Sequence, residues 1–138
     1  MRPIALVFVL VLCSGCAATG PIQPTVSSPD LIQLATAYRA ALSRDEDLSR
    51  FYTNFALDDS GAMLGTLEVN KKAWGGLSRT QRDALTKKAT ALYARQFTTS
   101  PASRLGVSSV TIKDEMGSVR GWIVVCTCGT AQYRLYGS

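Results

Sequence analysis

The stretch Val107 to Tyr136, VSSVTIKDEMGSVRGWIVVCTCGTAQYRLY, decides the fold. It contains three runs rich in β-branched and aromatic residues: Val107 to Lys113, Ser118 to Val125, and Ala131 to Tyr136. The segments between them, Asp114-Glu115-Met116-Gly117 and Thr127 to Thr130, are short and carry turn residues. Consecutive runs are therefore predicted to pair as hairpins, and the end of the chain reads as an antiparallel meander.

Working upstream, Leu77-Ser78 opens a helix in which Leu85, Ala89, Leu92, Tyr93 and Phe97 recur on one side, with Ser78 placed to cap it. Pro101, within Thr98 to Ser103, ends it. Before this helix, Met63, Gly65, Leu67 and Val69 alternate as in a strand, after the turn cluster Asp58-Asp59-Ser60-Gly61. Leu48, Phe51, Tyr52 and Phe55 fall at helical spacing, which predicts a helix reaching about Ala56. Ser28-Pro29-Asp30 combines a capping residue, a proline and an acid at a helix start, and Leu31, Leu34, Ala35, Tyr38 and Leu42 follow on one face. The charged stretch Arg44 to Asp47 separates these two helical segments.

This order predicts an α+β domain over residues 28–138. An N-terminal helix pair is followed by β-α-β-β-β, with the helices packed on one face of a small, mainly antiparallel sheet of about four strands. Trp74 and Trp122 are expected at the join between sheet and helices. Hydrophobic residues make up 46% of the 138-residue chain and charged residues 18%. That balance suits a single core and excludes disordered or coiled-coil compositions. Histidine is absent, which removes the usual neutral-pH base, the commonest metal ligand and every Ser-His or Cys-His pair.

Residues 1–16 read MRPIALVFVLVLCSGC. Arg2 supplies a positive start, Ile4 to Leu12 form an unbroken apolar run, and Ser14-Gly15 place small residues before Cys16. This is the build of an export signal, with an apolar run too short for the roughly 20 residues of a helical membrane span. The end of the segment resembles the lipobox of bacterial lipoproteins, although Cys13 stands where that pattern usually has Leu. The resemblance implies a signal peptide over 1–15 and acylation of Cys16 at the new N-terminus. A plain secretory signal cut near Ala17 or Ala18 would also export the chain. By similarity to enteric lipoproteins, Ala18 in place of Asp implies the periplasmic face of the outer membrane. Several acyl chains would hold a water-soluble body to a bilayer, since each buried CH₂ contributes about 0.8 kcal/mol. Residues 16–27, rich in Ala, Thr, Ser, Gly and Pro and without charge, read as a flexible tether.

Two features of the domain bear on chemistry. Cys126 and Cys128 form a CxC pair. On a regular strand their Cα atoms would lie about 6.6 Å apart, at the limit of disulfide reach, so a bond requires the chain to bend, and Gly129 permits that. The pair could exchange disulfides, grip Cu(I) through two thiolates, bridge to another chain or remain inert. Zinc is not expected, because it wants four ligands and the domain offers no histidine and no third cysteine, and no cofactor is expected. Charge is the second feature. Lys71, Lys72, Arg79, Arg82, Lys87, Lys88, Arg95 and Arg104 are accompanied between positions 71 and 104 by one acid, Asp83. The first seven are candidate contacts for an anionic envelope surface or polymer, or they form an ordinary solvated helix face. Adjacent acids such as Asp45-Glu46-Asp47 and Asp114-Glu115 sit in turn-like segments and are read as solvated or as serving turn geometry. The reading that results is a non-enzymatic envelope lipoprotein. It would bind another envelope protein or an anionic surface, with no nucleic-acid partner. A thiol-redox or Cu(I)-handling module is the alternative.

Overall fold

The computed structural model describes residues 28–58 and 64–137. The leader, Cys16, the tether, and positions 59–63 with Met63 lie outside the described residues. Helix α1, Ser28–Arg44, buries Leu31, Leu34, Ala35, Tyr38 and Leu42, the face read from their spacing. Asp45 then accepts hydrogen bonds from the amides of Asp47 and Leu48, 3.0 Å each, and starts a second, short helix, α2, Glu46–Phe51. This satisfies amides that the first turn leaves without helical partners.

The expected continuation of that helix to Ala56 is overturned. The chain leaves the helix after Phe51 and enters strand β1, Tyr52–Leu57, which pairs antiparallel with β2, Leu64–Val69. The register shifts between Tyr52 and Asn54. That irregularity sends both Tyr52 and Phe55 inward, three positions apart, and so reproduces a helical period within a strand. A second unforeseen element, helix α3, Lys71–Gly75, follows β2 and is capped by Asn70, whose Oδ1 accepts from the Ala73 amide at 2.9 Å. Helix α4, Arg79–Thr98, starts with a reciprocal pair of bonds: Ser78 Oγ accepts from Gln81 N, and Gln81 Oε1 accepts from Ser78 N. A 3₁₀ turn, Pro101–Leu105, leads into β3, Val107–Asp114, β4, Val119–Cys126, and β5, Ala131–Leu135.

The fold is α+β, with a five-stranded sheet ordered β1-β2-β3-β4-β5. Three neighbouring pairs are antiparallel, and β2 and β3 are parallel because α3 and α4 carry the chain between them. The β3–β4 ladder skips from Ile112 opposite Gly121 to Lys113 opposite Val119, leaving Arg120 as the extra residue of a bulge. Its guanidinium reaches the buried Asp114 carboxylate through Nε at 3.1 Å and Nη2 at 2.8 Å. The other Asp114 oxygen accepts from the amides of Met116 and Ser118, so this acid holds the turn together. Burial opposes its ionisation, but the Ser118 amide, the guanidinium and the Met116 amide together hold its pKa below the ordinary carboxylate value.

The core lies between the helices and one face of the sheet. Tyr38, Phe55 and Tyr93 meet with ring centres 4.8 to 5.4 Å apart, and Phe97 stacks on Tyr93 at 6.3 Å. Each buried tyrosine ends on a polar atom across an interface. Tyr38 donates to the Ala89 carbonyl at 2.8 Å, Tyr93 shares a bond with Ser108 at 2.7 Å, and Tyr52 a long one with Thr86 at 3.4 Å. Thr86 and Thr90 are buried in α4 although polar, because their hydroxyls bond back to the carbonyls of Arg82 and Thr86. Trp74 sits at the join between sheet and helices as expected and is 3% exposed, its ring 6.0 Å from Tyr52. Trp122 does not. Strand alternation places it on the opposite face from Ile123 and Val125.

Two outcomes follow from this packing. A Cβ at Gly121 would run into the Arg134 carbonyl and the Leu135 side chain of β5. Gly121→Ala is therefore expected to lower unfolding free energy by about 1–3 kcal/mol in urea melts. Burial raises the pKa values of Tyr38 and Tyr52, and raises that of Tyr93 to about 12. These tyrosines stay neutral in the fold where the unfolded chain would ionise them. Their contribution is complete below the ordinary phenol value of about 10 and is lost as pH rises through the folded values. Tyrosinate absorbance and circular dichroism are expected to change together between about pH 10 and 12.

Candidate functional site

Helices α1, α2 and α4 pack against the sheet on the face carrying Leu67, Val110, Ile112, Ile123 and Val125, all fully buried, and Trp74 of α3 lies near Tyr52 at its margin. Among the described residues no element covers the other face. Thr66, Thr111, Trp122 and Arg134 stand in one row across β2 to β5, and Leu64, Ser109, Val124 and Gln132 in the next. All of these are half-buried or exposed. The result is a flat polar surface with an indole at its centre and aliphatic groups at Leu64, Val107 and Val124. Its two edges differ. Beside β1 lies α1, whose Arg39 donates to the Phe55 carbonyl at 2.7 Å. Strand β5 is the other edge, and no described strand pairs with its outer side.

At the end of this face the CxC pair forms a disulfide, with Cα atoms 5.1 Å apart. The separation is shorter than a regular strand would give, because Cys126 is the last residue of β4 and the chain has begun to turn. Within the turn, the Cys126 amide bonds to the Thr130 carbonyl at 2.9 Å and the Gly129 amide to the Cys126 carbonyl at 3.0 Å. Gly129 takes φ of 100°, a conformation that disfavours side chains. Cys128 is exposed and Cys126 half-buried.

The seven candidate anion contacts do not form one patch. Lys88 Nζ lies 2.7 Å from Asp45 and 3.7 Å from Asp47, so this cation is paired. The hydrogen bond and charge of Asp45 raise the Lys88 pKa, and the bond from Lys88 lowers that of Asp45. Arg82 bonds the Trp74 carbonyl at 3.1 Å and the Gly75 carbonyl at 3.5 Å, closing the end of α3. Arg79, Lys87 and Arg95 are exposed on α4. Each is eight positions beyond the last, which fans them about 80° apart around the helix. Lys71 and Lys72 border an open cleft of about 400 Å³ together with Gly75, Glu115 and Met116, where Glu115 accepts from the Lys71 amide at 2.6 Å. A second cleft of about 400 Å³, between α1, α2 and β1, is lined by Arg39, Ser43, Ser49 and Asn54 among others.

Among the described residues, no group of three or more Cys, Asp or Glu could hold a metal ion. No described helix is long and apolar enough to cross a membrane. The sequence favoured a core-edge place for Trp122 over an exposed aromatic platform, and the structure places it on the outer face of the sheet. The sequence reading missed the role of Asp45, for which an acid directly before a helical stripe was the available signal.

The two partners of the Asp45–Lys88 pair are expected to differ in worth. Asp45→Ala removes a helix cap and should cost about 1 kcal/mol. Lys88→Ala removes one end of an exposed pair and should leave the thermal midpoint nearly unchanged. Paired melts by circular dichroism check this ranking. No known protein family, curated protein or solved structure matches the chain.

Proposed function

We propose that this chain is a lipid-anchored envelope lipoprotein, acylated at Cys16, whose domain is a non-enzymatic binding component on the periplasmic face of the outer membrane. The observation that carries the reading is the leader MRPIALVFVLVLCSGC followed by an uncharged tether. Three features of the domain support it. A disulfide is at home in an oxidising compartment, among the described residues no element covers the outer face of the sheet, and β5 offers an edge that a partner strand could extend. A protein partner suits the domain better than an anionic polymer, because Lys88 and Arg82 are engaged internally and the exposed cations are dispersed.

Palmitate labelling and fractionation of the full-length chain test the anchor. The wild type is expected to carry label and sediment with membranes, and Cys16→Ser to lose both. A photo-crosslinking residue at Gln132, on the open face, is expected to give an adduct with an envelope protein. One at Ala91, exposed on α4, is expected to give none. Unlabelled protein recovered from cytosol with its first methionine attached would overturn the anchor. Adducts from Ala91 alone would overturn the binding surface.

A further inference from the structure

The Cys126–Cys128 disulfide closes a segment with a sequence separation of only 2. It therefore restricts few conformations of the unfolded chain, and the fold gains little from it. The turn that carries it is held without it, by the two backbone bonds already described and by the Thr127 amide donating to the Gly106 carbonyl at 2.9 Å. Both sulfurs have hydrogen-bonding neighbours. The Cys128 amide donates to Cys126 Sγ at 3.1 Å, and Thr130 Oγ1 lies 3.2 Å from Cys128 Sγ. Such donors favour a thiolate once a bond to sulfur breaks. Beside the pair lies apolar surface. Val107, 50% exposed, stands opposite Cys126 in the ladder, and Val124 and Trp122 precede Cys126 on the same side of β4.

From this arrangement we propose that, beyond its binding role, the domain acts at this pair as a stoichiometric thiol-exchange reagent that oxidises a dithiol in a polypeptide with apolar residues near its cysteines. A substrate thiolate attacks the exposed Cys128 Sγ. The mixed disulfide forms as the Cys126–Cys128 bond breaks, and the electron pair leaves on Cys126 Sγ under the Cys128 amide. The second substrate thiolate then attacks the first substrate sulfur, closing the substrate disulfide and expelling Cys128 as a thiolate beside Thr130 Oγ1. The two protons of the substrate dithiol end on Cys126 and Cys128. The substrate loses two electrons and the protein gains them.

The test mixes the oxidised protein with a synthetic dithiol peptide bearing aliphatic flanks, with the same dithiol peptide bearing serine flanks in a parallel arm. Reactions are quenched in acid, alkylated with a maleimide, and read by intact mass and peptide mapping. The expected products are oxidised peptide, a domain alkylated on both cysteines with unchanged circular dichroism, and a transient adduct on Cys128. The aliphatic peptide should react about tenfold faster than the serine-flanked one at equal thiol, equivalent to roughly 1.4 kcal/mol of apolar contact. Thr130→Val should raise the adduct about fivefold by withdrawing the hydroxyl from the second leaving thiolate. Three results would each overturn the proposal: a disulfide that survives thiol concentrations able to reduce a linear Cys-Thr-Cys peptide, an adduct mapping to Cys126, or loss of the fold on reduction. Equal rates for the two peptides would overturn the assignment of a substrate with apolar flanks.

Discussion

The domain depends on a wedge of aromatic rings whose hydroxyls are satisfied across element boundaries. Tyr38 from α1 and Tyr93 from α4 meet Phe55 from β1, and the hydroxyls end on α4 and β3. An aliphatic core would have bound the same elements with less orientation. A buried hydroxyl without a partner is costly, so the register of each helix against the sheet is set by where an acceptor lies. The same logic explains the two threonines on the inner side of α4. They turn their hydroxyls onto the helix's own carbonyls, so their burial leaves no polar atom unpaired.

Much of this was legible in the residues. The face of α1, the meander and the helix starting at Ser78 all follow from spacing and capping, and all occur. Strand β1 was not legible, because its irregularity at Tyr52 to Asn54 gives inward residues a three-residue interval, which a linear reading assigns to a helix. Helix α3 is five residues long, too short to show a period. Trp122 lies in the run Trp-Ile-Val-Val, apolar at every position, so alternation cannot say which residues face the helices.

For the candidate site, residue types were visible and their use was not. The CxC pair stands out in the chain, but whether its sulfurs can meet depends on where β4 ends and the turn begins. The cluster of cations also stands out, and only the packed structure separates those that cap helices or pair with acids from those that face solvent. Charge density along a sequence says little about charge density on a surface once side chains fold back onto carbonyls and carboxylates.

The single parallel seam of the sheet has a consequence for how the chain assembles. On one side, β1 and β2 are neighbours in sequence. On the other, β3, β4 and β5 are too. Among the described strand pairings, only that of Leu64 to Val69 with Ser109 to Asp114 joins segments distant in the chain, and it forms across the whole helical crossover. The entropy of closing that long loop falls on this one line. The sheet is in effect two locally connected halves held by one long-range joint, and the aromatic wedge, drawing Phe55 from one half and Tyr93 from the crossover, is the clasp that fastens it.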